Sequence, residues 1–384
     1  MARARAKSFF DQYTGDLTPG EFQRLFRRDT AEAYRYFTRG SQADRLAAQP
    51  WYRRYPQQAR LVFSAFTMRL SPARRVLYGL ALVATIIGAL MLFRGIGASW
   101  LLVVPVIGPQ WVEGTGWLLI GFILMNLLML MEVADRLSLK SDLEVARDIQ
   151  LAMLPSGTRE AHQTAVAGVT RPANTVGGDF YDVLPLADGR MAIALGDVAG
   201  KGSPAALLMA LLVAMMRTLV DEGLELPRLM TRLNAQVARQ SPGSRFITLF
   251  CGFYDPRDGS LEYVNAGHLP PLLCRRDGAV EHVAGDGAGG LALGMFEQAT
   301  YDAHRTTIEP GDTLVLFSDG ITEAENPAGV AFDESGLEGV IAARRTDDPE
   351  TLGRAVLAAV ERHAGDARLA DDLTVLVLKR TLQN

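Results

Sequence analysis

Residues 76–93 (VLYGLALVATIIGALMLF) run for eighteen positions without a charge. As a helix rising 1.5 Å per residue they cover roughly 27 Å, close to the hydrocarbon thickness of a bilayer. A second run, residues 117–131 (WLLIGFILMNLLMLM), reaches spanning length in a slightly thinned bilayer once Thr115 and Gly116 are added. A transmembrane hairpin is expected, with spans at about 76–93 and 115–131; two buried core helices are the competing reading. Arg69, Arg74 and Arg75 precede the first span and Arg136, Lys140 and Arg147 follow the second, whereas the connection holds Arg94 and Glu113. That bias puts both termini on the cytosolic side, with Trp100, Trp111 and Trp117 at the opposite interface. By contrast, residues 205–216 (AALLMALLVAMM) are too short to cross and read as a core helix, and residues 101–107 are interrupted by Pro105.

Charge is unevenly spread. Residues 1–75 hold fifteen Lys and Arg against six Asp and Glu, so with a whole-chain charge of -4 the remainder is strongly acidic. That balance excludes nucleic acid as the partner of the chain as a whole. Only Cys251 and Cys274 occur, far apart, which excludes a disulfide framework and a zinc finger. Residues 1–10 lack the apolar core of a cleavable signal peptide. Thr18, Pro19 and Glu21 resemble a helix start, and a helix to about Thr38 is expected in a small basic cytosolic unit. After the second span, residues 132–155 carry Leu139, Leu143, Ala146, Ile149 and Met153 on one helical stripe, with Pro155 as the stop. The stripe fits either a short coiled-coil homodimer or packing on the helix's own domain.

From about residue 156 the pattern is mixed. Apolar strand candidates at 191–195, 246–253, 261–265, 313–317 and 373–378 alternate with helix candidates at 204–222, 226–239 and 349–363. This predicts an α+β domain with sheet packed on sheet and helices outside. Asp197 ends MAIALGD and Asp319 ends TLVLFSD, so each carboxylate stands at the tip of a buried strand. Asp179 and Asp182 follow two glycines in TVGGDFYD, and Asp371 and Asp372 open the last strand. An all-carboxylate set without His or Cys calls for hard, oxygen-ligated cations such as Mg²⁺ or Mn²⁺.

GGDFYD, GDVAGKGSPAAL, YVNAGHLPPLL, LFSDGITEAEN and DDLTVLVL, in this order, resemble the bacterial sporulation and stress-response branch of the PP2C-type (PPM) serine/threonine phosphatases. The resemblance covers roughly residues 143–380, including a linker helix that takes part in dimerisation and activation in the family. It implies an αββα sandwich with two Mn²⁺ or Mg²⁺ ions between the sheets. Asp197 would bridge both ions, the Val198 carbonyl would bind one, Asp319 and Asp371 the other, and Asp179 would act through water, with Asp372 as the substitute for Asp371. It implies hydrolysis of phosphoserine or phosphothreonine by a metal-activated water, on a phosphorylated protein substrate such as a STAS-type anti-sigma-factor antagonist, at the bacterial cytoplasmic membrane. Two departures stand out: Ala199 occupies the place where eukaryotic members carry a His, and Phe332-Asp333 stands where relatives often have Phe-Gly.

Two phosphate motifs are excluded by spacing. GDVAGKGS has one residue too few for a P-loop and Gly202 where Ser or Thr is needed, and SDGIT lacks the aspartate two positions earlier that a dehalogenase-type nucleophile loop requires. Arg171 reads as a surface arginine and His268 as structural. The competing functional reading is a catalytically weak, metal-binding regulatory module that captures a phosphorylated partner.

Overall fold

The computed structural model describes residues 70–99, 109–241, 245–283 and 289–382, together with residues 57, 63, 64, 67 and 68. The helix expected after Thr18, most of the basic segment 1–75 and the stretch 101–107 lie outside the described residues. Two compact units divide the chain, Met1–Leu137 and Ser138–Asn384.

In the first unit, helix α1 (Pro72–Ser99) pairs with the first part of helix α2 (Pro109–Met153). Small residues let the helices approach closely along a seam that also takes in Leu118 and the buried Leu128: a Cβ on Gly88 would come within 2.8 Å of the Gly114 carbonyl, and one on Gly121 within 3.1 Å of the Ala81 carbonyl. Ala81 and Ala84 are buried in it, while Val76, Leu80, Val83, Ile86 and Leu90 of α1 and Leu119, Phe122 and Ile123 of α2 point outward, exposed. Small residues inside and large apolar ones outside is the reverse of a water-soluble packing and suits lipid as solvent. Arg74 pairs with Asp135 at 2.7 Å and Glu132 at 3.4 Å, so the start of α1 lies beside residues 132–135 and the two helices are antiparallel. Both are long and apolar enough to cross a membrane.

Helix α2 runs without a break through both the expected span and the expected linker. It stops at Met153, as the clash of a proline with the preceding residue demands before Pro155. On its stripe Leu139 and Ile149 are each 61% exposed, whereas Met153 packs against the core of the second unit.

The second unit is built on two antiparallel sheets. In chain order its elements are β1 (Arg159–Ala161), β2 (Thr164–Arg171), β3 (Phe180–Pro185), β4 (Met191–Val198), α3 (Ser203–Asp221), α4 (Leu226–Gln240), β5 (Ile247–Tyr254), β6 (Ser260–Ala266), β7 (Leu272–Cys274), β8 (Val280–His282), β9 (His304–Thr307), β10 (Thr313–Phe317), α5 (Asp319–Thr322), α6 (Asp333–Ala343), α7 (Pro349–Ala364) and β11 (Leu373–Arg380). One sheet has the order β1-β2-β11-β10-β7-β8 and the other β3-β4-β5-β6-β9. Helices α3 and α4 cover the second sheet, and α7 lies on β2 and β11 of the first. This is the expected αββα sandwich.

The strand sequences explain the layers. Side chains alternate across a strand. In β11, Leu376 and Leu378 face the sandwich interior, while Leu373, Val375 and Val377 face the outer helices; in β10, Leu314 and Leu316 point one way and Val315 and Phe317 the other. Both faces are covered, so these strands are apolar throughout. Helix α3, the third helix among the described residues that is apolar enough to span a bilayer, turns Leu208, Met209, Leu212, Val213 and Met216 into this core. It is a core helix, as its short apolar run implied.

The structure differs from expectation in detail. Strand β4 continues to Val198, so Asp197 lies within the strand, opposite Thr248 of β5. Helix α6 and strands β1, β2, β3, β7, β8 and β9 lie outside the candidate ranges read from the sequence; the three- to four-residue strands β1, β7, β8 and β9 carry too few residues for a period to register, whereas β2, β3 and α6 are long enough that length is not the reason. Asp333 has φ 67°, in the left-handed region where glycine is at ease and Asp is among the better-tolerated alternatives. The Phe-Asp departure therefore keeps a glycine-type backbone.

Candidate active site

Four segments bring their aspartates to one end of the sandwich. Strand β4 supplies Asp197 and Val198. A Cβ on Gly178 would stand 3.0 Å from both Asp197 Oδ1 and the Val198 carbonyl oxygen, so these two oxygens converge on the space above that glycine. The turn after Val198 is fixed by the Ala199 N–H donating to the Phe246 carbonyl at 2.9 Å, and Gly200 takes a φ of 110° that a side chain would oppose.

Strand β10 supplies Asp319 through a sharp break. The Ser318 N–H donates to the Thr374 carbonyl at 3.0 Å, its hydroxyl donates to the Asp372 carbonyl at 3.2 Å, and the Thr374 N–H donates back to that hydroxyl at 3.1 Å. These bonds lock Asp319 beside the start of β11. Gly320 must be glycine, because a Cβ there would run into the Asp372 backbone.

The Gly177-Gly178 loop supplies Asp179. Asp372 anchors this loop: its Oδ1 accepts from the Ala173 N–H at 2.8 Å and its Oδ2 from the Gly178 N–H at 2.7 Å. Gln150 of α2 anchors it from the other side, with its amide donating to the Gly177 carbonyl at 2.7 Å and accepting from the Gly177 N–H at 3.2 Å. Asp371, by contrast, is partly exposed and pairs with Lys201 at 2.7 Å.

The electrostatics follow from crowding like charges. Burial, then the charge of Asp319, pushes the Asp197 carboxyl up to about 6, and burial with the charge of Asp197 raises Asp179 well above the usual range. Burial and the neighbouring Asp371 raise Asp319 as well. Asp179 Oδ2 is buried without a hydrogen-bond partner. Among the described residues no three His, Cys, Asp or Glu side chains are grouped closely enough to hold a metal ion by themselves.

Other residues lie elsewhere. Asp182, from the same motif as Asp179, bonds Arg217 at 2.7 Å, and Arg217 also donates to the Met153 carbonyl at 2.6 Å, tying down the end of α2. Arg171 pairs with Glu361 on the surface. His268 accepts or donates at Nδ1 to the Thr248 hydroxyl at 3.0 Å, and burial pushes its pKa down to about 4, so it is a neutral internal group. Gln150 and Lys201 escaped the sequence reading. Gln150 stands four residues after Ala146 and three before Met153, and a polar residue at that spacing on an apolar stripe is the signal the sequence holds; Lys201, between Gly200 and Gly202, carries none beyond its charge.

The family model described as stage II sporulation protein E (SpoIIE) matches residues 187–381. The phosphoserine phosphatase RsbU of Bacillus subtilis is 28% identical over 243 residues, covering 63% of this chain and 71% of that protein. Protein IcfG of Synechocystis is 27% identical over 276 residues, covering 65% of this chain and 43% of that protein, so the chain spans less than half of IcfG's length. Among solved structures, the SiaA-PP2C domain of Pseudomonas aeruginosa superposes with a TM-score of 0.55 at 24% identity, over 64% of this chain and 98% of that one. The PP2C phosphatase domain of SpoIIE from Bacillus subtilis gives 0.50 at 21% identity, over 58% and 66%. At these identities the two structures speak to the fold, which is PP2C-like.

Proposed function

The chain belongs to the stage II sporulation protein E family, and from that premise we propose that it is a membrane-anchored, metal-dependent protein serine/threonine phosphatase. The observation that carries this reading is the convergence of Asp179, Asp197, Asp319 and Asp371 at one end of the sandwich, with carboxyls driven up by burial and by one another. Carboxylates gathered at that cost need cations. The donor set is oxygen throughout, Asp179 Oδ2 is an orphaned buried acceptor, and Asp197 Oδ1 and the Val198 carbonyl face a common space, so the residues fit Mn²⁺ or Mg²⁺.

Two ions would be held by Asp197, the Val198 carbonyl, Asp319 and Asp371, with Asp179 acting through water. Asp372 is the weaker candidate, because its oxygens already accept backbone N–H groups. When bound, such ions supply Lewis acidity and lower the pKa of water enough for attack on phosphorus. The protein's own part is to hold these carboxylates rigidly on strand ends: Ser318 and Thr374 fix Asp319, and Asp372 and Gln150 fix the loop of Asp179.

The substrate we assign is a phosphoserine or phosphothreonine protein, of the STAS-type anti-sigma-factor antagonist class, in keeping with the phosphoserine activity in the name of RsbU. The small-residue hairpin supports membrane anchoring, with both ends cytosolic on the Arg and Lys bias. The exposed stripe at Leu139 and Ile149 supports a homodimer through α2.

The test is Mn²⁺-dependent release of phosphate from a phosphoserine protein by the full chain in detergent micelles, alongside Asp197→Asn and Asp319→Asn. Turnover by the parent that is lost in both variants is the expected result. A folded parent that binds Mn²⁺ and the phosphoprotein without turnover would sink the enzyme reading in favour of a regulatory module.

A further inference from the structure

Two neighbouring clefts meet at a saddle formed by Lys201 and Arg368, the two residues common to both linings. The first cleft, about 490 Å³, has Gly320, Glu323 and Asp371 in its wall, so it reaches the carboxylate cluster at its Asp371 edge. The second, about 650 Å³, runs past Asn174, Thr175 and Ser203. Among the described residues nothing else lining either cleft is basic.

The geometry of the two cations is set by the backbone around the cluster. Lys201 follows Gly200, and its Nζ donates to the Ala370 carbonyl at 2.6 Å and reaches Asp371 at 2.7 Å. Arg368 stands three residues before Asp371 and donates from Nη2 to Asn174 Oδ1 at 3.0 Å. The described bonds use two of the ammonium's three N–H groups and one of the guanidinium's five, so donors remain for an anion. The Lys201 side chain is 53% exposed, facing solvent across the cleft.

A phosphomonoester carries up to two negative charges at neutral pH. On its way to Asp197, Asp319 and Asp371 it meets a field of its own sign, strengthened by Glu323. The saddle is where that field is locally reversed, and Lys201 touches Asp371 while facing the cleft. We infer that Lys201 and Arg368 are the phosphoryl-binding residues of this site: they receive the phosphate of a phosphoprotein segment and deliver it to the carboxylate end of the first cleft. This rests on the phosphatase reading given above for the nature of the substrate.

The experiment uses the full chain in micelles with saturating Mn²⁺ and the Asp319→Asn background, so that no turnover consumes the probe. A fluorescent phosphoserine peptide and its unphosphorylated twin are titrated by anisotropy against the parent, Lys201→Ala, Arg368→Ala and Lys201→Arg. Selective binding of the phosphopeptide, weakened about tenfold by either alanine and kept within about threefold by Lys201→Arg, is expected for a charge-assisted contact. Steady-state kinetics without the Asp319 change should show the same alanines raising KM about tenfold with kcat within about threefold. Unchanged phosphopeptide binding in either alanine variant, no phosphate selectivity in the parent, or a fall in kcat at constant KM each overturns the assignment. Phosphate-selective binding through both cations with no turnover in the unmodified chain would refute the phosphatase reading and leave this one standing; turnover indifferent to both cations would do the reverse.

Discussion

Gln150 and Gly177 hydrogen-bond in both directions, the side-chain amide of one matching the backbone donor and acceptor of the other as a neighbouring strand would. The pair joins helix α2 to the loop that carries Asp179 and is itself held by Asp372. A change in where α2 sits thus has a direct route to the carboxylate cluster. Replacing Gln150 with alanine leaves a buried carbonyl and N–H unpaired, a cost of about 1–3 kcal/mol. We expect Gln150→Ala to lower Mn²⁺-dependent turnover at least about tenfold while the fold survives. Phosphate release and urea unfolding on the same sample check this; full turnover with lowered stability would make the pair structural only.

Asp371 and Asp372 are neighbours with different tasks. Asp372 is buried and occupied by the Ala173 and Gly178 N–H groups, whereas Asp371 faces the cleft. Asp371→Asn is expected to abolish turnover with the melting temperature nearly unchanged. Asp372→Asn turns an amide toward backbone donors and should destabilise the fold by about 1–3 kcal/mol. Thermal melts beside phosphate-release assays separate the two, and equal melting losses would contradict the division.

Asp197 gives the chelated protein an unusual pH dependence. Its folded pKa, about 6, lies above the ordinary 3.8, burial and Asp319 being the causes. The stability this group contributes is therefore fully present below pH 4 and is lost as pH rises through 6, up to about 3 kcal/mol. In EDTA, Asp197→Asn should melt higher than the parent at pH 7 and no longer gain stability from Mn²⁺. Melting curves at pH 5 and 7, with and without Mn²⁺, decide it; a variant that melts lower than the parent in EDTA at pH 7 would count against the crowding of charges as the cause.

Asp333 pays for a left-handed φ of 67° with partial relief from its carboxylate, which accepts from the Glu334 N–H at 2.6 Å. Asp333→Gly removes the strain and the bond together. The net expected gain is small, about 0.5–1 kcal/mol, with no change in turnover. Chemical denaturation resolves a shift of that size, and a loss of stability would show the carboxylate bond to dominate.

The sequence by itself determined the layers and their chemistry. Eighteen uncharged residues at 76–93 make a helix long and apolar enough to cross a bilayer, and strands apolar on both faces, such as LTVLVL in β11, require cover on both sides. The carboxylate of Asp319 was legible because a charge terminating a buried run sits at its edge, and Asp197 was legible as the charge closing MAIALGD, although β4 carries on one residue past it. The tertiary structure alone decided how those edges are used. That Asp372 spends its oxygens on a loop nearly two hundred residues earlier, that Gln150 grips the same loop, and that Lys201 and Arg368 flank one saddle all depend on contacts between segments distant in the chain. Periodicity records which face of an element is buried, but not which atom on another element it meets. Pairings of this kind are fixed only when the sheets stack and the chain's remote turns come to the same end of the sandwich.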